Sequence, residues 1–137
     1  MLTISRPVYD ALVAHAEDGG NHEICGILAG SFDVTASHAT NVHHTENVAE
    51  RPQSRYAIDP AEQLACMESI EASGNDIVGF YHSHPAGPPR PSQTDRSRAT
   101  WPDRSYVIVS MDGSPFVGSW RWRPGRDAFE GERIAIA

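Results

Sequence analysis

The sequence predicts one α/β domain over residues 1–137, a mixed β-sheet flanked by about three helices. Three observations carry that prediction. The chain is 137 residues long, enough for one sizeable core and short for two. Helical patterns alternate with apolar strand runs through the first two thirds of the chain. The last third holds closely spaced strand runs of hairpin character.

Arg6-Pro7 opens the first helix, with Val8, Ala11, Leu12 and His15 at helical spacing, and Asp18-Gly19-Gly20-Asn21 ends it. Residues 22–31, HEICGILAGS, read as a buried strand, and Val34–His44 as its weakly alternating partner. Residues 47–54 read as loop and Arg55–Ile58 as a short strand. Asp59-Pro60-Ala61-Glu62 signals the second helix: an N-cap, a proline at the first helical position and a glutamate at the third. Leu64, Met67 and Ile70 are expected on its packed face, and Ser73-Gly74 closes it. Asp76–His84 reads as a central strand and Ser92 to about Thr100 as the third helix. Tyr106–Met111, Phe116–Trp122 and Ala128–Ile136 complete the strands, with Trp120 and Trp122 on one face.

Composition narrows the function classes. Hydrophobic residues make up 39% and charged residues 21%, which fits a globular chain. The net charge is −7, and the arginines look scattered along the sequence, so nucleic acid is not an expected partner. All 11 basic residues are arginine; base-composition bias and adaptation to high salt both give that pattern. No apolar run approaches the roughly 20 residues of a membrane span. The start, MLTISRPVYDALVAHAED, lacks a basic segment followed by an apolar block, so no membrane or secretory route is expected and the expected location is cytoplasmic. Cys25 and Cys66 are too few for a disulfide scaffold and read as small core residues.

The chemistry concentrates in HSHPAGPPRPSQTD, His82 to Asp95. Residues two apart on a strand point to one side, so Val78, Phe80, His82 and His84 are expected on one face, with the imidazoles at the strand's end. An H-x-H pair alone fits two half-exposed histidines as well as it fits a metal pair. Ser92 and Asp95 fit a helix start, Ser92 as N-cap and Asp95 at the third position. Pro85, Pro88, Pro89 and Pro91 stiffen the connection that would hold Asp95 against the histidines. With 7 His, 13 Ser and 9 Asp, a shuffled chain holds H-x-H-x7-S-x2-D about 0.002 times. Two histidines and a carboxylate suit zinc, and a catalytic zinc keeps its fourth position for a water that ionises near neutral pH. A structural zinc would need a fourth protein ligand, and Cys25 could reach it only through the fold.

This motif, with the upstream E-x-C-G-x-L-x-G run, resembles the JAMM (MPN+) family of zinc isopeptidases. Asn47, Tyr56, the Asp59-Pro60 helix start, VGFYHSHP and SYVIVS extend the likeness over nearly the whole chain. It looks most like the small, insertion-free archaeal desampylases, which remove ubiquitin-like modifiers from proteins. The resemblance implies an MPN-type layered domain with a curved mixed sheet. It implies Zn2+ on His82, His84 and Asp95, Glu23 as general base and Ser92 as donor to the oxyanion. The implied partners are ubiquitin-like modifier proteins and their conjugates, with the modifier's tail along a strand edge near the metal. Spacing by itself does not choose Glu23 among nine glutamates. Two other functions stay open: a peptidase that removes cysteine from a sulfur-carrier protein, and a non-catalytic MPN scaffold.

Overall fold

The computed structural model describes residues 1–137 throughout. In chain order the elements are β1 (Leu2–Ile4), α1 (Arg6–Gly19), β2 (Cys25–Ser31), β3 (Ser37–Thr45), α2 (Pro60–Ala72), β4 (Asp76–His84), α3 (Gln93–Arg98), β5 (Ser105–Ser110), β6 (Phe116–Arg123), β7 (Ala128–Glu132) and β8 (Ile134–Ile136). The eight strands form one mixed sheet in the order β7-β6-β5-β4-β2-β3-β1-β8. β4 lies between antiparallel β2 and parallel β5.

The two edge strands are consecutive in the chain, parted only by Arg133, so the sheet curls until its edges approach. The predicted strand Ala128–Ile136 is therefore two strands at opposite edges. β1, three residues long, goes unseen in the sequence; it pairs in parallel with both β3 and β8.

Helix α1 lies inside the curl. Val8, Leu12 and Ala16 pack with Leu2, Leu28, Ala39, Val78, Tyr81, Val107 and Val109, and Val117 and Ile134 join from strands near the two edges. Helix α2 covers the outer face, where Ile70, Cys66 and Met67 meet Ile27, Ala29, Ile77, Phe80, Tyr106 and Trp122. Asp59 caps α2 by accepting from the amides of Ala61 and Glu62 (3.1 and 3.2 Å), and Pro60 follows it, as the sequence predicts. Leu64 is 59% exposed and leaves the expected face. Steps of three fall about 60° short of a turn, so Leu64 and Ile70 diverge.

A β-bulge corrects the predicted face of β4. Leu28 pairs with Gly79 and Ala29 with Ile77, which leaves Val78 as an extra residue. Val78 turns to the α1 side while Phe80 stays on the α2 side. Arg55–Ile58 forms no strand, only an isolated bridge between Ile58 and Asn47. Trp122 packs on the outer face as expected, and Trp120 is half-buried there.

At one end of the sheet, Arg121 closes the curl. It is 1% exposed and donates from Nε to Glu132 (2.8 Å) and from its two terminal nitrogens to the carbonyls of Met1, Asp33 and Asp103 and to Ser37 Oγ. Glu132 also accepts from Ser105 and Ser119 (2.7 and 2.8 Å). The group ties β5, β6 and β7 to β1 and β3 across the approaching edges.

Candidate metal centre

The C-terminal end of β4 presents His82 and His84 on its outer side, 1% and 8% exposed. Ser83, between them, turns the other way and accepts the amide of Ile24 (2.9 Å), fixing the residue that follows Glu23. The connection from His84 to α3 is held through three successive carbonyls, as suits a segment whose prolines have no N–H to offer. Ser110 Oγ donates to Gly87 O (2.6 Å), His84 Nδ1 to Pro88 O (2.7 Å) and Trp120 Nε1 to Pro89 O (3.0 Å). Gly118 lets this loop close on β6, because a Cβ there would collide with Pro89 O.

Helix α3 begins with the predicted capping box. The Asp95 amide donates to Ser92 Oγ (3.1 Å) and the Ser92 amide to Asp95 Oδ2 (2.9 Å). That same Oδ2 lies 3.2 Å from the Nε2 atoms of both histidines, which are 3.1 Å from each other. The cap and the triangle share one oxygen, so the helix start places the carboxylate.

Pro88 O can only accept, so His84 carries its proton on Nδ1 and turns a lone pair on Nε2 toward Asp95. Electron-rich atoms gathered this closely call for a cation or a proton among them. Ligands about 2.0–2.1 Å from a tetrahedral zinc stand about 3.3–3.4 Å apart; the observed edges of 3.1–3.2 Å are close to that. Glu23 supplies a second carboxylate, with Glu23, His82 and His84 offering atoms within 4.8 Å of one another. Its Oε1 is buried without a partner. Asp95 Oδ2 is the nearer carboxylate oxygen to the two imidazoles, at 3.2 Å from each Nε2.

Electrostatics separate the two acids. Burial pushes the Glu23 carboxyl up to about 7, with His84 opposing and Asp95 adding to the rise. Burial works on Asp95 in the same sense, but the two imidazoles and the Ser92 amide outweigh it and hold that carboxyl far below the usual range.

Loop 46–58 roofs Glu23. The Glu23 amide donates to Pro52 O (2.7 Å). Asn47 donates to the carbonyls of Glu23 and Arg55 (2.8 and 2.9 Å) and accepts from the amides of Ala49 and Ala57 (both 3.0 Å). The likeness in sequence marks Asn47 without giving it a task; the fold makes it the peg of this loop. Tyr56 stacks on His82, ring centroids 4.4 Å apart at 22°. His82 Nδ1 is buried with no hydrogen-bond partner, so the Tyr56 ring does the orienting that an outer hydrogen bond usually does. Tyr56→Ala is expected to weaken metal binding about 10–100-fold, with Tyr56→Phe close to wild type, measured by competition with a chromogenic chelator. Equal affinity of Tyr56→Ala and wild type would contradict the stacking role.

Glu23, His84 and Ser92 line one cleft of about 380 Å³ with Gln53, Ser54 and the proline loop. A larger open cavity of about 570 Å³ lies between that loop and β6, sharing only Pro88 and Arg90 with the cleft. β4 is bonded on both sides, so an extended chain finds no strand edge on the strand that carries the two histidines; loops 46–58 and 85–92 flank the cleft instead. His43 and His44 do not converge, since His44 stacks on His15 (4.1 Å). Cys25 meets Thr45 at 3.4 Å, and both cysteines are free.

Residues 5–123 match the family described as prokaryotic homologs of the JAB domain. The chain is 42% identical over 123 residues to the desampylase of Haloferax volcanii, covering 87% of each chain. It is 38% identical over 110 residues to the CysO-cysteine peptidase of Mycobacterium tuberculosis, covering 80% of this chain and 73% of that one. A solution structure of a Desulfitobacterium hafniense protein superposes with a TM-score of 0.89 at 30% identity, covering 100% and 93% of the two chains. A JAB1/MPN domain protein from Archaeoglobus fulgidus shares the fold, with a TM-score of 0.61 at 17% identity over 100% and 97% of the chains.

Proposed function

We infer the activity of this chain from its family: it belongs to the prokaryotic homologs of the JAB domain, a JAMM/MPN-type metallopeptidase family. It is a hydrolase of conjugates of ubiquitin-like modifiers, and those modifiers and their conjugates are its partners. A Glu/His/His group able to hold a metal stands in its cleft.

The finer reading assigns the metal and the roles. The metal is Zn2+, held by His82, His84 and Asp95, and residues 1–137 act as one catalytic domain. When bound, zinc supplies a Lewis acid and lowers the pKa of water to near 7. The observation that carries the reading is the triangle of 3.1–3.2 Å beside a buried, unpartnered carboxylate. Glu23 takes a proton from the attacking water as the water oxygen bonds to the carbonyl carbon of the modifier's last glycine. It returns that proton to the lysine nitrogen as the C–N bond breaks. Burial gives its carboxyl an affinity suited to both transfers near neutral pH. Ser92 Oγ spends a lone pair on the Asp95 amide, which leaves its O–H to donate to the carbonyl oxygen as negative charge develops there. Asn47 holds the roof of the cleft, and Tyr56 keeps the His82 ring in place. The reading puts the chain in the cytoplasm, where cysteines stay reduced; both cysteines are free and no helix is long and apolar enough to cross a membrane.

The Mycobacterium relative supports a second reading in which the scissile bond follows the same glycine and cysteine leaves. Incubating the protein with a modifier–lysine conjugate and with a sulfur-carrier protein ending in cysteine separates the two. The conjugate should be cleaved, a chelator should stop cleavage and zinc should restore it. Preferential cleavage of the cysteine adduct favours the second reading. A chelator without effect on either contradicts both, and no cleavage of either would favour a scaffold.

A further inference from the structure

Three of the arginines that look scattered in the sequence come together in the fold. Arg51, Arg55 and Arg98 line one pocket of about 360 Å³ with Ala49, Glu50 and Ala57. All three are exposed, and none forms an ion pair, Glu50 included. Elsewhere Arg6, Arg121, Arg123 and Arg126 each pair with a carboxylate, and Arg96, Arg104 and Arg133 do not but line no pocket with one another. A chain with 18 carboxylates and 11 arginines thus keeps three arginines on one pocket against a single carboxylate, with no ion pair among them. The pocket adjoins the metal centre: Arg98 donates to Tyr56 O (3.1 Å), and the Tyr56 ring stacks on His82. A further arginine, Arg90, lines the cleft itself and is likewise unpaired.

We propose that Arg51, Arg55 and Arg98 form a docking site for an acidic segment of the modifier, a step from the metal centre. The inference rests on the conjugate-hydrolysis reading and names the surface chemistry of its substrate. Arginine forks suit carboxylates, which they bind in pairs of parallel hydrogen bonds. The net charge of −7 would repel an acidic partner over most of the surface, so a local cationic pocket sets where that partner lands and in which orientation. The modifier, rather than the target, is the occupant: it is common to every conjugate, whereas the target's surroundings vary, and a fixed pocket serves the constant partner.

The test needs no turnover. Two fluorescent peptides ending in Gly-Gly, one with a run of glutamates upstream and one with glutamines, are titrated with wild type, with Arg51→Glu/Arg55→Glu/Arg98→Glu, with the corresponding triple Arg→Gln variant and with Arg126→Glu as control. Circular dichroism checks that each is folded. Wild type and Arg126→Glu should bind the glutamate peptide about tenfold or more tightly than the glutamine peptide, and both triple variants should lose that preference. In conjugate cleavage the triple variants should raise KM with kcat within a few-fold. Equal binding of the two peptides by wild type, or an unchanged preference in the triple variants, overturns the proposal. So does a single-stranded oligonucleotide that binds the same arginines more tightly than the glutamate peptide. Wild type that prefers the glutamate peptide but cleaves no conjugate would sink only the hydrolase reading. Triple variants that cleave conjugates with wild-type KM would sink only this one.

Discussion

Glu23→Gln is expected to lower kcat for conjugate cleavage by about 10²–10⁴-fold, the range for losing a general acid–base. The side chain keeps its size, so KM and zinc content should stay at wild-type values. The expectation follows from where Glu23 sits: 6% exposed, just before β2, with Oε1 buried and unpartnered beside the histidine pair. A glutamine there takes no proton from water. The zinc measurement also decides between the two carboxylates. If Glu23 rather than Asp95 completed the metal's protein shell, the substitution would strip the metal as well as the rate. A kcat within a few-fold of wild type would remove Glu23 from the chemistry altogether.

Arg121→Met is expected to destabilise the fold by about 3–5 kcal/mol, the cost of breaking a buried ion pair from one side. The loss leaves Glu132, whose side chain is 5% exposed, with only the terminal ammonium of Met1 as a cation (3.2 Å), and takes one donor each from the carbonyls of Met1, Asp33 and Asp103 and from Ser37 Oγ. Arg121→Met/Glu132→Leu should recover part of that loss, because the buried carboxylate that has lost Arg121 is gone. Acid should act in the same direction. Burial would raise the Glu132 carboxyl, but bonds from Ser105, Arg121 and Ser119 hold it below its ordinary 4.5. A depressed carboxyl contributes stability above the unfolded value and loses it as pH falls through the folded one. Wild type should therefore weaken below about pH 4.5 more steeply than Glu132→Gln. Denaturant unfolding across pH reads both effects. Arg121 pairs with Ser105 at the start of β5, whereas His84 pairs with Ser110 at its end, so the closure lies at the far end from the metal. The rate per folded molecule should hardly change, and a loss of under about 1 kcal/mol would show the closure to be unimportant.

What the sequence made legible was local. The Asp59-Pro60 cap, the Ser92–Asp95 box and the period-two placement of His82 and His84 each follow from neighbours within four residues, and each is found in the fold. The curled sheet and the family expected from the resemblance are found as well. What escaped was set by partners distant in sequence. The bulge at Val78 comes from pairing β4 with β2, which alternation within β4 does not reveal. β1 and β8 have three residues each, too few to show a period, and exist because each finds an edge to join. Arg121 reads as one charge in a strand until the curl brings Met1 and Ser37 to it. Arg51, Arg55 and Arg98 come from a loop and a helix about 40 residues apart, so only the fold makes them a group.

The account rests on three side chains from β4 and α3 meeting at one cation. Its most direct test is the zinc content of purified wild type and of His82→Ala, each dialysed against a weak chelator and weighed by native mass spectrometry. Wild type should retain one zinc per chain and His82→Ala none, both as folded protein. A metal-free wild type, or a His82→Ala chain that keeps its zinc, would contradict it.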